Sequence, residues 1–268
     1  MEKKVIIEPT AFQQTAVNTK PAATKQKAET TFSIGQIMER EPSATRNAPA
    51  PVKASIRRKL LEIGYDEPHL YDALLIKYRN IMAERWGDTF TISANVSRTI
   101  NVVARWFTSE AAIKPNLYVV GAVGTGKTTL ARAIAGTIGT ISAAQLQTLR
   151  ISGSYIAATQ LREYHADGRL DEFKYRDLMV LDDMGSEEMA IIKDYGNDIN
   201  LFADIIFTRY DRALPTIITS NLSMPDLAAR YGTTEAGRDR LADRLRETCY
   251  LLAMNEAFRT ENAKVKIV

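Results

Sequence analysis

A single cysteine, Cys249, stands among the 268 residues, which excludes an intramolecular disulfide and a cysteine-built zinc cluster. Its apolar flank, Tyr250-Leu251-Leu252, predicts a small buried core residue. The only two histidines, His69 and His165, are 96 positions apart (165 − 69) and lack metal-ligand spacing. No apolar run approaches the roughly 18 residues of a membrane span. The opening MEKKVIIEPT has too short an apolar core for a secretory signal, so the sequence predicts a cytoplasmic protein with no membrane partner. Charge of neither sign dominates: 35 Lys and Arg against 32 Asp and Glu leave a net +3. That permits nucleic acid as a partner without demanding it.

What is present changes character along the chain. Residues 1–53 are rich in Ala, Thr, Pro, Gln and Lys and bury too little apolar surface to offset ordering, which predicts a disordered arm. One island, Phe32 to Met38, could dock, and Asn47-Ala48-Pro49-Ala50-Pro51 reads as a stiff linker. Over 54–90 the residues Ile56, Leu60, Leu61, Leu70, Leu74, Leu75, Tyr78 and Ile81 recur at helical spacing. They predict a small helical unit for partner docking, followed by a helix capped by Ser93. Residues 91–268 alternate apolar runs with helical stretches. Strands are expected at 117–120, Thr148–Ile151, 178–181, 216–219 and 249–253, and helices at about 127–138, 154–167, 197–213 and 235–246. Such interleaving argues for an α/β fold with a parallel sheet covered on both faces.

The segment from Gly121 to Thr128, GAVGTGKT, fits G-x-x-x-x-G-K-[ST] at every fixed position, between a strand and a helix. Such glycines let successive backbone N–H groups turn toward a phosphate, and the helix adds its positive end. The residues expected to hold the nucleotide ATP are therefore Gly121, Val123, Gly124, Thr125, Gly126, Lys127, Thr128 and Thr129. Lys127 would reach the β- and γ-phosphates, and the Thr128 hydroxyl would ligate Mg²⁺. Asp182 and Asp183 close the third apolar run, where α/β sheets bind ligands. Asp182 is expected to hold Mg²⁺, directly or through water, and Asp183 to polarise the attacking water. Asn221, at the end of the fourth run, reads as a γ-phosphate sensor or as a loop cap. Arg240 and Arg244 share a helix face. They read as a charge-stabilising pair or as a surface ladder salt-bridged to Asp239 and Asp243.

Taken together, GAVGTGKT, LMVLDDMGSE, TIITSNL and RDRLADRLRE resemble the AAA+ superfamily. Within it they are most similar to the DnaC/DnaI-type helicase loaders and the related IstB transposition ATPases. The resemblance covers about residues 95–255. It implies a P-loop fold with a five-stranded sheet in the order 5-1-4-3-2 and a reduced lid, since only 24 residues follow Arg244 (268 − 244). It further implies an ATPase that self-associates, with Arg244 completing a neighbour's site and Arg240 supporting it. The expected partners are single-stranded DNA and a replicative helicase, or a transposase for an IstB-like protein. The Asp-Asp pair departs from the Asp-Glu of many AAA+ proteins, and the cysteines of a zinc-bearing loader domain are missing. The helix expected over Tyr155–Tyr164 falls where loaders contact single-stranded DNA, although Tyr155 and Leu161 could equally pack beneath the sheet. A small-molecule kinase and a non-hydrolysing ATP-binding adaptor are the remaining alternatives.

Overall fold

The computed structural model describes residues 51–87, 91–144, 151–187, 191–194, 197–232 and 234–254. All of them lie in one compact unit, Ser33–Val268. The expected arm up to residue 50 and the Phe32–Met38 island lie outside the described residues.

Three helices come first: α1 (Pro51–Glu62), α2 (Glu67–Trp86) and α3 (Ala94–Thr108). Asp66 caps α2 by accepting from the His69 N–H, and Ser93 caps α3 by accepting from the Val96 N–H at 3.3 Å, as its sequence predicts. The order continues β1 (Asn116–Gly121), α4 (Lys127–Ala144), β2 (Gly153–Ala157), a 3₁₀ turn at 158–160, α5 (Leu161–Ala166), α6 (Leu170–Lys174) and β3 (Leu178–Met184). A small antiparallel hairpin, β4 (Ile192–Asp194) and β5 (Asn197–Ile199), precedes α7 (Leu201–Asp211). Then come β6 (Thr216–Ser220), α8 (Met224–Tyr231), α9 (Glu235–Thr248) and β7 (Cys249–Met254).

Five strands form one sheet in the order β2-β3-β6-β1-β7, parallel at every pairing. Counted along the chain without the hairpin, this is 5-1-4-3-2, the order of the AAA+ P-loop fold. Alternation along each strand divides the core into two layers. Leu117, Val119, Leu178, Val180 and Ile217 face α1–α4, whereas Tyr118, Met179, Leu181 and Ile218 face α7–α9. Ile56, Leu60, Leu70, Leu74, Tyr78 and Met82 of α1 and α2 are buried in that first layer. The helical stretch over 54–86 thus shares its core with the P-loop helix.

The expected second strand needs correcting. It forms at Gly153–Ala157, and the helix expected from 154 begins only at Leu161. Thr148–Arg150 lie outside the described residues, and Ile151 sits before the strand. Gly153 to Ala157 pair with Leu178 to Asp182, turning Ser154 and Ile156 inward. Pairing with a buried neighbour overrides the helix-like reading of a short Ile-Ala-Ala stretch.

The N-terminal ends of the central strands are tied by buried polar groups. The Asn116 side chain donates to the Thr248 hydroxyl at 2.9 Å and accepts from the Thr216 N–H at 2.9 Å. Arg209 is buried, and it donates to the Thr216 hydroxyl and to the carbonyls of Lys174, Arg176 and Pro215. Burial pulls its pKa down to about 9, so the guanidinium stays charged at neutral pH. These bonds fix the strand starts and leave the strand ends, where the chemistry lies, to the loops.

Candidate functional site

The loop after β1 turns twice through left-handed backbone, at Gly124 (φ 88°) and Gly126 (φ 93°). A side chain at Gly126 would also strike the buried Tyr78 hydroxyl, 2.7 Å from where its Cβ would stand. Both constraints require glycine there. Helix α4 starts at Lys127, so its free N–H groups face the loop's interior. Lys127 is buried, and its Nζ donates to the carbonyls of Gly121 at 2.7 Å and Ala122 at 2.9 Å. Burial draws its pKa below the usual lysine range, and the nearby carboxylates of Asp183 and Asp182 oppose that shift. The Thr125 hydroxyl donates to the Ala122 carbonyl at 3.0 Å, which closes the loop on itself.

Opposite stands the end of β3. Asp182 is buried, and each of its carboxylate oxygens accepts a hydroxyl proton. Thr219 donates to Oδ1 at 2.6 Å, and Tyr155 donates to Oδ2 at 2.7 Å. The Thr219 oxygen in turn accepts the Asp183 N–H at 2.8 Å. Asp183 has a positive φ of 57°, at a point where the β3–β6 register slips between Leu181 and Met184. The slip aims the Asp183 side chain out of the strand row, and one threonine fixes both acids. Burial raises the Tyr155 hydroxyl to a pKa of about 12, with Arg132 pulling it down and Asp182 pushing it up. Tyr155 therefore remains a proton donor at neutral pH.

A cavity of about 240 Å³ joins these parts. Val123, Gly124, Gly126, Lys127, Thr128 and Thr129 line it from the loop, and Asp183 and Asn221 line it from the ends of β3 and the β6 loop. Sequence reasoning missed the third wall, Met82, Arg85 and Trp86 at the end of α2. The only hint was their position just ahead of Gly87, which ends the helix with φ 79°. It also missed that Tyr155 and Thr219 are the partners of Asp182. Thr219 was legible as a hydroxyl inside an otherwise apolar strand end, whereas Tyr155 was not, because it was read as helical.

Arg240 and Arg244 do not join the cavity. The Arg240 guanidinium lies 5.0 Å from the Phe207 ring centroid, and that of Arg244 lies 3.9 Å from the Tyr210 ring. Arg244 also donates to the Tyr210 hydroxyl at 2.9 Å and to Glu247 at 3.1 Å. In place of the expected partners Asp239 and Asp243, these arginines rest on aromatic rings of α7. The stretch Tyr155–Tyr164 is no single helix either: Tyr155 is on β2, and Tyr164 packs edge-on against Phe173 beneath Arg169.

Among the described residues no group of three His, Cys, Asp or Glu could hold a metal ion. The donors that do exist, Asp182 and the Thr128 hydroxyl, are hard oxygens. Asp182 retains spare lone pairs beyond its two hydroxyl bonds. That set suits Mg²⁺, which takes few protein ligands and fills its shell with water and phosphate.

Fold and site together define a P-loop nucleotide-binding protein of the AAA+ type. The family model of IstB-like ATP binding proteins matches residues 89–265, and the chain belongs to that ATP-binding family. No curated protein matches it. Among solved structures it is similar to DnaI, at 25% identity over 66% of this chain and 93% of that one, with a TM-score of 0.45. It is also similar to the DnaC helicase loader, at 26% identity over 62% of this chain and 94% of that one, with a TM-score of 0.43. A third is AMPPCP-bound DnaA from Aquifex aeolicus, at 20% identity over 65% of this chain and 52% of that one, with a TM-score of 0.42. No helix among the described residues is long and apolar enough to cross a membrane.

Proposed function

We propose that this chain hydrolyses Mg-ATP and, as an oligomer, delivers a replicative helicase to single-stranded DNA. The observation supporting hydrolysis is the shared clamp on the two acids: Thr219 holds Asp182 and the Asp183 backbone at once, and Asp183 lines one cavity with Lys127. The loop N–H groups and Lys127 bind the triphosphate. Thr128 and Asp182 would hold Mg²⁺, whose charge when bound offsets that building on the phosphate oxygens. Asp183 takes up the proton of the attacking water, and Asn221 orients that water or the γ-phosphate. Arg244, remote from its own chain's cavity, serves a neighbouring subunit's site, with Arg240 supporting it.

The loader reading rests on the motif set GAVGTGKT, LMVLDDMGSE, TIITSNL and RDRLADRLRE. The family match favours a second reading, an ATPase that assists a DNA transposase. Steady-state hydrolysis with and without DNA tests both. Wild-type turnover should rise with single-stranded DNA, vanish in Asp183→Asn and be missing in Lys127→Ala. Stimulation by duplex DNA alone would favour the transposase helper, and no turnover under any condition would leave an ATP-binding adaptor.

A further inference from the structure

The third wall of the cavity differs in chemistry from the other two. The loop offers N–H groups and an ammonium, and the strand ends offer carboxylate and amide. The end of α2 offers a thioether, an indole and a guanidinium. Trp86 is 53% exposed at the cavity's rim, with the Arg85 guanidinium 5.4 Å from its ring centroid. Val123 of the loop, 70% exposed, and the buried Met82 line the same cavity. An indole left half in water beside a phosphate cradle offers a ring face on which a planar group can stack. Helix α2 is anchored by Leu70, Leu74 and Tyr78 in the core, so the indole is carried on a fixed element. All three residues precede residue 89, where the family match begins.

We infer that Trp86, with Arg85 over its ring, is the platform on which the nucleobase stacks. It makes this chain's preference for a nucleoside triphosphate over a bare triphosphate a property of α2. The inference rests on the nucleotide reading of the cavity. Base recognition here is by ring face, so purine nucleotides bind more tightly than pyrimidine ones without strong discrimination between ATP and GTP.

The full chain, titrated with Mg-ATP, Mg-GTP, Mg-CTP and inorganic tripolyphosphate by calorimetry for affinity and by tryptophan emission for stacking, tests it. The chain has two tryptophans, and Trp106 is buried in the core, so base stacking reports through Trp86. ATP and GTP should quench the emission, and tripolyphosphate should not. Trp86→Ala should weaken ATP about tenfold, in the range of a base stacked on an aromatic ring, and leave tripolyphosphate affinity unchanged. Trp86→Phe should recover most of the loss. Unchanged ATP affinity in Trp86→Ala, or equal weakening of ATP and tripolyphosphate, would overturn the platform. If neither ligand binds, or if Lys127→Ala binds both as well as wild type, the phosphate cradle itself is wrong and the platform falls with it.

Discussion

At the scale of single residues, the site depends on hydroxyls that carry no charge. Tyr155 and Thr219 each donate to one oxygen of Asp182. A hydrogen bond to a charged group is worth about 1.5–3 kcal/mol, so losing one lets the carboxylate turn. Tyr155→Phe keeps the ring and removes only the donor. It should lower turnover about tenfold with ATP affinity nearly intact, as steady-state hydrolysis beside nucleotide titration would reveal; equal turnover would remove Tyr155 from the site. Thr219→Val should cost more, because it also strands the Asp183 N–H. We expect about 1–3 kcal/mol less stability in a denaturant melt together with lost hydrolysis, whereas Thr219→Ser should restore both. Asp183→Asn keeps the backbone bond to Thr219, so it should fold and bind as wild type while hydrolysis disappears.

At the scale of elements, the chain was most legible where local pattern and tertiary role agree. Strand β1, its loop and the start of α4 could be read from GAVGTGKT, since glycine spacing there is dictated by phosphate chemistry. Strand β3 could be read from four apolar residues before two acids. The second strand was misplaced because Tyr155-Ile156-Ala157 has no periodicity long enough to outvote its neighbours; only pairing with β3 makes it a strand. The hairpin at 192–199 went unforeseen for the same reason, whereas helix α8 was overlooked although Ser223 caps it and a proline opens its first turn. The stretch over 54–86 was legible as helix but not as a wall of the site, because burial against α4 leaves no mark on sequence. Truncation separates these roles. A chain starting at residue 51 should keep its melting temperature. One starting at residue 87 loses Leu60, Leu70, Leu74 and Tyr78, all fully buried, and should unfold. Even Leu74→Ala should cost about 2–5 kcal/mol, measurable by chemical denaturation.

At the scale of the whole molecule, the question is where Arg244 acts. Within its own chain it is held over Tyr210 and hydrogen-bonded to Glu247, away from the cavity. An arginine so placed can complete an active site only if the site is a neighbour's, across a head-to-tail contact of the kind that builds rings and filaments. Arg244→Ala should then bind ATP normally and hydrolyse it poorly, a loss of about 10³–10⁵ if it acts as an arginine finger. Lys127→Ala is inactive for a different reason, the failure to hold the triphosphate. Mixing the two inactive proteins should restore activity, because some contacts pair an intact loop with an intact arginine. In an equal, random mixture about a quarter of head-to-tail contacts are of that kind, so recovery is partial but large against so low a background. An Arg244 acting within its own chain could not give this result, since every site would then contain a broken half. No recovery at any mixing ratio, with mixed assembly confirmed by sizing, would leave Arg244 as the residue that pins α9 to α7.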